Sequence, residues 1–218
     1  AKEAILETGL NNNVKIAGCF SPLPGRYFKD KSISKKEMIE TYLSIGELQK
    51  DDVDFFIIET MSSIDEAVNA VEALSNFNKK ILLCFCLLEG DGTKLFSGED
   101  LSKACDLIQI DKISGLCLNC SQFEDISIGL DILKKYGLPF GALPNNFQSV
   151  KPLKLGMSVD NIKKRNDILI EDFVNYSNIW LKKGCTILGG CCEITPDYIN
   201  GLNQFLMKNK YNKVNFFN

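Results

Sequence analysis

The sequence predicts an α/β fold in which strands and helices alternate to form a (β/α)8 TIM barrel. Short apolar, β-branched runs alternate with longer amphipathic stretches along the chain. The apolar runs are continuous, which is typical of parallel strands covered on both faces. The residues best suited to chemistry follow the ends of different strands, which is how barrel enzymes assemble their sites. A doubly wound sheet is the alternative, but no strand is followed by a Gly-x-Gly-x-x-Gly phosphate loop.

The elements follow one another in this alternating order. Strands are predicted at Val14–Cys19, Val53–Glu59, Ile81–Cys86, Ile113–Asn119, Leu138–Leu143 and Cys185–Gly189. Helices are predicted at Lys35–Leu48, Ser63–Leu74, Leu101–Leu107, Phe123–Tyr136, Ile170–Lys182 and Pro196–Lys208. The first of these helices follows Ser34, with Glu37 three residues later, and this spacing indicates a capping box.

The predicted strands are two fewer than a barrel needs. Such barrels have eight strands and usually about 250 residues, whereas this chain has 218 residues. It begins without Met, on what resembles a helix end. We therefore expect that the first two βα units are missing from this chain. No low-complexity linker divides it, so we expect residues 1–218 to form a single barrel domain that is incomplete at its N-terminus.

The composition excludes several classes of partner. The chain has 25 Lys and Arg against 28 Asp and Glu, with a net charge of -3, and its lysines are scattered. A nucleic-acid partner would require a clustered basic surface. No apolar run approaches the roughly 18 residues of a membrane-spanning helix, and the first residues lack the apolar core of a signal peptide. We expect no nucleic acid and no membrane as partners, and a cytoplasmic protein.

The chain has no histidine and nine cysteines. Without imidazole, it alone cannot build a Ser-His-Asp triad, a Cys-His pair or a zinc site with histidine ligands. In a reducing compartment, cysteines are more often core residues, metal ligands or catalytic groups than disulfides. Core packing is expected for the five that lie within or beside apolar runs, Cys19, Cys84, Cys86, Cys105 and Cys185.

Three cysteines that follow predicted strands are candidates for a metal site. Cys191 and Cys192 come after two glycines, whose relaxed backbone would let both thiols turn toward one point. The alternative is two small buried residues after a turn. Cys120 lies past the end of another strand and would supply a third thiolate, leaving a zinc ion with one open coordination position, as in catalytic zinc sites. Alternatively, Cys117 and Cys120 form a Cys-x-x-Cys redox pair.

Polar residues close two other strands. Glu59 and Thr60 end the second predicted strand, where a carboxylate is suited to anchoring a substrate ammonium. The alternative is an N-cap or a solvated loop acid. The segment Pro144-Asn145-Asn146 ends another strand, and its amides can both donate and accept hydrogen bonds. Pro-Asn is also ordinary turn chemistry.

Six stretches, in order along the chain, carry a resemblance to a known family: IAGCFSPLPGRY, IIETMSSIDEAVNAVEAL, FCLLEGDGTKLFSG, ISGLCLNCS, ALPNN and ILGGCCEITPDYI. They resemble the zinc-dependent homocysteine S-methyltransferases, the group that includes betaine-homocysteine and S-methylmethionine-homocysteine methyltransferases. The most specific part is GGCC-x-x-x-P-x-x-I combined with the upstream Asn-Cys.

The resemblance implies a (β/α)8 barrel whose catalytic residues, Cys120, Cys191 and Cys192, hold Zn2+. It implies that Glu59 holds the amino group of homocysteine. Substrate binding is implied for four residues at strand ends, Glu59, Thr60, Asn119 and Asn145. The implied partners are homocysteine and a small methyl donor, with methionine as product and a homo-oligomer as a possible assembly state.

The implied chemistry is methyl transfer from an onium donor to the thiol of homocysteine. A free thiol with a pKa of about 8.5 is a modest nucleophile at neutral pH, and binding to zinc deprotonates it. This route needs no histidine base. Phe20, Tyr27 and Phe85 are candidates by position for holding the cationic donor through cation–π contacts.

The chain departs from the family pattern in three places. It lacks the opening Asp-Gly-Gly strand, Leu143 stands where Tyr precedes the Pro-Asn pair, and Glu193 stands where Gly is usual. The missing strands and Glu193 support a second hypothesis, a non-catalytic zinc-binding or redox-responsive degenerate barrel. A third, a cobalamin-linked methyl-transfer module, would require a cobalamin-binding domain that this chain lacks.

Overall fold

The structure, a computed structural model, describes residues 1–10, 14–23, 33–151, 160 and 162–212. Within these residues the strands are β1 (Ala17–Phe20), β2 (Phe55–Met61), β3 (Ile81–Phe85), β4 (Leu87–Leu88), β5 (Asp91–Leu95), β6 (Gly115–Asn119), β7 (Phe140–Leu143) and β8 (Ile187–Leu188). The helices are α1 (Lys2–Thr8), α2 (Lys35–Gln49), α3 (Ile64–Leu74), α4 (Leu101–Leu107), α5 (Phe123–Leu133), α6 (Ile170–Lys183) and α7 (Pro196–Lys208).

Six of these strands form one parallel sheet in the order β1-β2-β3-β6-β7-β8. The spatial order is thus the chain order, and the helices α2 to α6 connect successive strands of the sheet, as in consecutive βα units. The strands β1 and β8 lie at opposite edges, and within the described ranges they do not pair with each other. The predicted α/β class is confirmed as a six-stranded parallel sheet, while closure into an eight-stranded barrel stays a prediction.

The two edge strands are shorter than predicted. The first begins at Ala17 because the Asp54 carboxylate accepts a hydrogen bond from the Ile16 backbone N–H at 2.8 Å. The Asp54 carboxylate thus accepts the hydrogen bond that Ile16 would otherwise donate to a backbone carbonyl of β2. At the other edge only Ile187–Leu188 pairs with β7. Here Gly141 is required, since a Cβ at this position would lie 2.0 Å from the Ile187 carbonyl oxygen.

The antiparallel hairpin β4–β5 was not among the predicted elements. Leu87 pairs with Leu95, and the turn contains Gly90 in the left-handed region with a φ of 90°. The hairpin lies against α5, where a Cβ on Gly92 would come within 2.2 Å of the Asp125 carbonyl oxygen. The glycines on either side of Asp91 are the local signal that predicts such a turn.

The sheet has a different apolar cluster on each face. The large core lies between the sheet and the helices, and its bulkiest fully buried members are Trp180, Tyr42, Phe20, Phe56, Phe85, Phe123 and Phe173. On the opposite side, a small separate cluster contains Leu82, Cys84 and Cys117. We call this second side the inner face. The candidate site lies at the carboxyl ends of the strands that form this face.

The helices begin and end where local sequence chemistry permits. At the start of α2, Ser34 Oγ accepts from the Glu37 N–H at 3.3 Å, and the Ser34 N–H donates to the Glu37 carboxylate at 3.1 Å. The predicted capping box is therefore confirmed. The helix α1 ends at Gly9, which adopts the left-handed conformation with a φ of 67°. None of the helices in the described part of the chain is both long and apolar enough to cross a membrane.

Candidate metal and substrate site

Cys120 follows β6 directly and turns away from the line of the strand. Its backbone N–H donates to the Leu143 carbonyl oxygen at 2.9 Å, which extends the pairing between β6 and β7 by one bond. Its φ of 49° lies in the left-handed region, which is unfavourable for a residue with a side chain. The backbone thus bends at the residue whose thiol enters the site.

Cys191 and Cys192 follow β8 and are anchored to the loop after β7. The Cys191 N–H donates to the Pro144 carbonyl oxygen at 2.8 Å, and the Asn146 N–H donates to the Cys192 carbonyl oxygen at 3.0 Å. The preceding glycine Gly190 is needed for close packing, since a Cβ there would lie 2.2 Å from the Ile194 side chain. These contacts bring both thiols to the carboxyl edge of the sheet.

The structure brings the three predicted ligands together. The Sγ atoms of Cys120 and Cys192 are 3.8 Å apart, those of Cys191 and Cys192 are 3.9 Å apart, and all three lie within 4.8 Å of one another. Thiolates bind zinc at about 2.3 Å, so two ligands of a tetrahedral ion are separated by about 3.8 Å. The cluster therefore has the donor atoms and the spacing of a soft-metal site, as one face of a tetrahedron.

Hydrogen bonds with Cys120 and Cys192, together with burial, raise the pKa of the Cys191 thiol above its ordinary value. Without a metal, this thiol keeps its proton at neutral pH. A metal ion that binds here must displace thiol protons, so metal affinity rises with pH.

Asn145 is buried beside the candidate metal ligand Cys120. Its side chain is 1% exposed, its Oδ1 accepts from the Phe147 N–H at 3.0 Å, and its backbone N–H donates to the Ser121 carbonyl oxygen at 3.1 Å. Its Nδ2 lies 4.0 Å from the Sγ of Cys120. The Asn145 amide therefore faces the Cys120 sulfur, and its N–H groups can stabilise negative charge there.

Glu59 lies in β2 and is half-buried. The Cys19 thiol donates a hydrogen bond to its carboxylate, with 2.5 Å between Sγ and Oε1. Desolvation and this bond to Glu59 raise the pKa of Cys19 to about 12. The expectation that Cys19 packs in the core is wrong, because it is exposed on an edge strand beside the Glu59 carboxylate. Nothing near Cys19 in the sequence signals this contact.

Thr60 and Asn119 contact each other through two hydrogen bonds. The Thr60 backbone N–H donates to Asn119 Oδ1 at 2.9 Å, and Asn119 Nδ2 donates to Thr60 Oγ1 at 2.9 Å. Asn119 is 1% exposed, and Thr60 has a left-handed φ of 64°. The polar atoms of both side chains are thus directed at each other, and substrate binding by Thr60 and Asn119 stays a prediction.

The remaining predictions for the site have mixed outcomes. Phe20 and Phe85, expected to face a cationic donor, are buried on the helix side of the sheet, where Phe20 packs edge-on against Phe56 with 4.9 Å between ring centroids. That expectation is wrong, while Tyr27 lies outside the described residues. The redox alternative for Cys117 loses support because this thiol is buried and hydrogen-bonded to Cys84, whose pKa is raised by burial and by that bond.

The chain matches one protein family and several proteins of related name. The sequence model of the family described as homocysteine S-methyltransferase matches residues 1–206. The chain is similar to a selenocysteine methyltransferase from Astragalus bisulcatus, with 28% identity over 160 residues, which cover 71% of this chain and 45% of that protein. It is also similar to homocysteine S-methyltransferase 2 from Zea mays, with 29% identity over 161 residues and the same coverage of each. The chain spans about half the length of these relatives.

The fold is also found in solved structures. The metallated form of the homocysteine methyltransferase MmuM from Escherichia coli superposes with a TM-score of 0.69 and 21% identity, covering 94% of this chain and 65% of that one. This likeness establishes the fold. The family itself is assigned by the sequence model, which matches residues 1–206. This chain belongs to the homocysteine S-methyltransferase family.

Proposed function

We propose that this chain carries the site for zinc-dependent transfer of a methyl group from an onium donor to the thiol of homocysteine, giving methionine. The observation that carries the proposal is the cluster of Cys120, Cys191 and Cys192 at the carboxyl edge of a parallel sheet. The sequence has no histidine, and in this cluster three thiols supply the soft donor atoms that a metal such as zinc prefers.

The donor set fits zinc. Sulfur ligands favour zinc over the harder cations magnesium and calcium, and three protein ligands leave the fourth tetrahedral position for substrate. Bound there, zinc would supply deprotonation of the substrate thiol at neutral pH. The chain's own thiols hold the ion, and the Asn145 amide beside Cys120 partly offsets the negative charge that three thiolates concentrate.

We propose that Glu59 binds the ammonium group of the amino acid. Its carboxylate is half-buried and already accepts a hydrogen bond from Cys19, so it is held in one position before substrate arrives. A substrate ammonium would add a charge-assisted hydrogen bond. An onium donor suits this site because transfer of its methyl group to an anionic sulfur removes both charges.

The acceptor class extends to amino acids with a thiol or a selenol. Two of the similar proteins are named selenocysteine methyltransferases, from Astragalus bisulcatus and Brassica oleracea. Sulfur and selenium are both soft nucleophiles, and the features proposed for recognition, a three-thiol metal site and an ammonium anchor, do not distinguish them. Homocysteine and selenocysteine should therefore be tested side by side.

We also propose that the sheet is part of a (β/α)8 barrel. The support is its strand order, in which parallel neighbours follow the chain from β1 to β8. Two further strands between these edges would complete the eight of a barrel. Closure would place the inner face in a lumen and bury the exposed Cys19 beside Glu59.

A second candidate function is non-catalytic zinc binding or a redox response. The observations that favour it are the 3.8 Å separation of Cys120 and Cys192, which suits a disulfide-forming pair, and the exposed acid Glu193 next to a metal ligand. Activity of the zinc-loaded chain separates the two candidates.

The experiment is a zinc-dependence assay. The purified chain is stripped with a chelator, reloaded with zinc, and incubated with homocysteine and either S-methylmethionine or betaine, while methionine is detected by mass spectrometry. The matched control is Cys105→Ala, which removes a buried thiol of α4 remote from the cluster. Methionine that appears only with zinc, in the parent chain and in the control, supports the proposal. A zinc-loaded chain that forms none supports the second candidate instead.

A further inference from the structure

We propose that Asn119 is a positioning residue that fixes the distance between the ammonium anchor Glu59 and the metal ligand Cys120. The inference rests on the proposed function. It assigns Asn119 to a contact between two strand ends rather than to a contact with substrate.

The first support is the route of the contact across the sheet. Thr60 belongs to β2 and Asn119 ends β6, and β3 lies between these two strands. The Asn119 side chain reaches Thr60 across β3, the strand that lies between them. The two hydrogen bonds therefore join strands that the sheet itself does not pair.

The second support is a bulge in β2, which the contact between Asn119 and Thr60 stabilises. In the pairing of β2 with β3, Ile58 is opposite Leu83 while Met61 is opposite Phe85, so β2 has one extra residue at Glu59-Thr60. Such a bulge leaves a backbone N–H without a ladder partner and redirects the neighbouring side chains. Asn119 Oδ1 accepts a hydrogen bond from the Thr60 N–H at this bulge.

The third support is backbone strain on both sides of the contact. Thr60 and Cys120 have φ values of 64° and 49°, which β-branched and other L residues rarely adopt. Conformations of this kind persist only where surrounding contacts hold them. Two hydrogen bonds of 2.9 Å from a side chain that is 1% exposed provide such contacts.

The consequence is a linkage between two functional groups. Glu59 precedes Thr60 in the chain and Cys120 follows Asn119, so each functional residue is one peptide bond from the contact. An amide suits this position because its oxygen accepts from the Thr60 backbone N–H while its nitrogen donates to the Thr60 hydroxyl. Loss of the contact lets the bulge relax and moves the ammonium anchor relative to the metal.

The test uses Thr60→Val, which keeps the shape of the side chain but removes the hydroxyl that Asn119 donates to, and Thr60→Ser, which keeps it. Homocysteine affinity of the zinc-loaded chain is measured by calorimetry, with zinc stoichiometry and melting temperature. We expect Thr60→Val to weaken homocysteine binding on the order of tenfold with zinc retained, and Thr60→Ser to restore most of it. Unchanged homocysteine affinity in Thr60→Val would overturn the inference.

A remote control variant separates an effect on positioning from an effect on stability. Asn69→Ala removes another buried amide, on α3, whose contacts are Asp65 and Met38. It should lower the melting temperature and leave homocysteine affinity unchanged. If Asn69→Ala weakens homocysteine binding as much as Thr60→Val does, the effect is general destabilisation and the inference fails.

A measurement that does not depend on homocysteine binding tests the role of Asn119 separately from the proposed function. Cobalt in place of zinc gives a visible absorption spectrum that reports the geometry of its thiolate ligands. We expect Asn119→Leu to alter this spectrum, since Cys120 is the next residue. If the parent chain binds metal but not homocysteine, the proposed function fails. An unchanged cobalt spectrum in Asn119→Leu would then overturn the positioning inference by itself.

Discussion

The Sγ atoms of Cys120 and Cys192 lie 3.8 Å apart although 72 residues separate them in the chain. The first thiol follows β6 and the second follows β8, with β7 between these strands. The end of β7 connects the two, since Leu143 and the next residue, Pro144, accept backbone hydrogen bonds from Cys120 and Cys191. Parallel strands thus bring their carboxyl ends to one edge, and the cysteine cluster is a product of that arrangement.

Replacing Glu59 with Gln should weaken homocysteine binding and leave zinc in place. Gln keeps the size of the side chain but lacks the charge that pairs with an ammonium. Loss of a charge-assisted hydrogen bond corresponds to about 1.5–3 kcal/mol, or roughly 10- to 100-fold in affinity. Calorimetry with homocysteine measures the change, and Glu40→Gln, on the exposed face of α2, serves as the control. Homocysteine affinity equal to that of the parent would contradict the assigned role.

Replacing Glu193 with Gly should stabilise the chain by about 0.5–1 kcal/mol. Glu193 has a left-handed φ of 63°, which costs a side-chain-bearing residue energy that Gly does not lose. Chemical denaturation of the two proteins measures the difference. Lys210→Gly, at another left-handed residue with a φ of 58°, is the matched control and should give a similar gain. A loss of stability in Glu193→Gly would show that its side chain has a compensating contact.

The metal-free chain should lose stability as the pH rises above 9. Burial and the nearby Asp106 raise the pKa of Cys105 from 9.0 to about 12 in the folded chain. Between these values the unfolded thiol has lost its proton and the folded one has not, so the unfolded state is favoured by up to about 1.4 kcal/mol per pH unit. Denaturation midpoints from pH 8 to pH 11 measure the slope. In Cys105→Ala the loss of stability per pH unit should be smaller by the contribution of this one thiol proton. Equal slopes in the two proteins would contradict the raised pKa of Cys105.

Removing the metal should expose the cluster to oxidation. Hydrogen peroxide converts two adjacent thiols into a disulfide, with two molecules of water as the other product. Mass spectrometry of peptides should find Cys120 linked to Cys192 in the stripped chain, with zinc binding regained after reduction. The zinc-loaded chain should resist the same treatment. Equal oxidation with and without zinc would mean that the metal is bound elsewhere.

Much of the fold was predictable because buried parallel strands have a simple sequence pattern, a continuous apolar run. Continuous apolar runs marked all six strands of the sheet, and residues placed just after those runs converge at one edge by geometry alone. This is why Cys120, Cys191 and Cys192 could be grouped before any coordinates were known. The edge strands were overextended, because their ends depend on partners such as Asp54 and Gly141 that lie far along the chain.

The face of each strand was harder to assign. Phe20 was a candidate for the site by position and Cys19 was expected in the core, but Phe20 is buried on the helix side of the sheet and Cys19 is exposed. Adjacent residues of a strand point to opposite faces, so an assignment shifted by one residue exchanges them. The contact between Thr60 and Asn119 had no local signal, since left-handed conformations at residues other than Gly or Asn are imposed by tertiary contacts.

Zinc content of the single cysteine variants tests the central claim most directly. Elemental analysis of the purified parent chain should find one zinc ion per chain. Cys120→Ala, Cys191→Ala and Cys192→Ala should each lose most of it, while Cys105→Ala and Cys84→Ala, at buried thiols outside the cluster, should retain it. Full zinc occupancy in all three cluster variants would contradict the account.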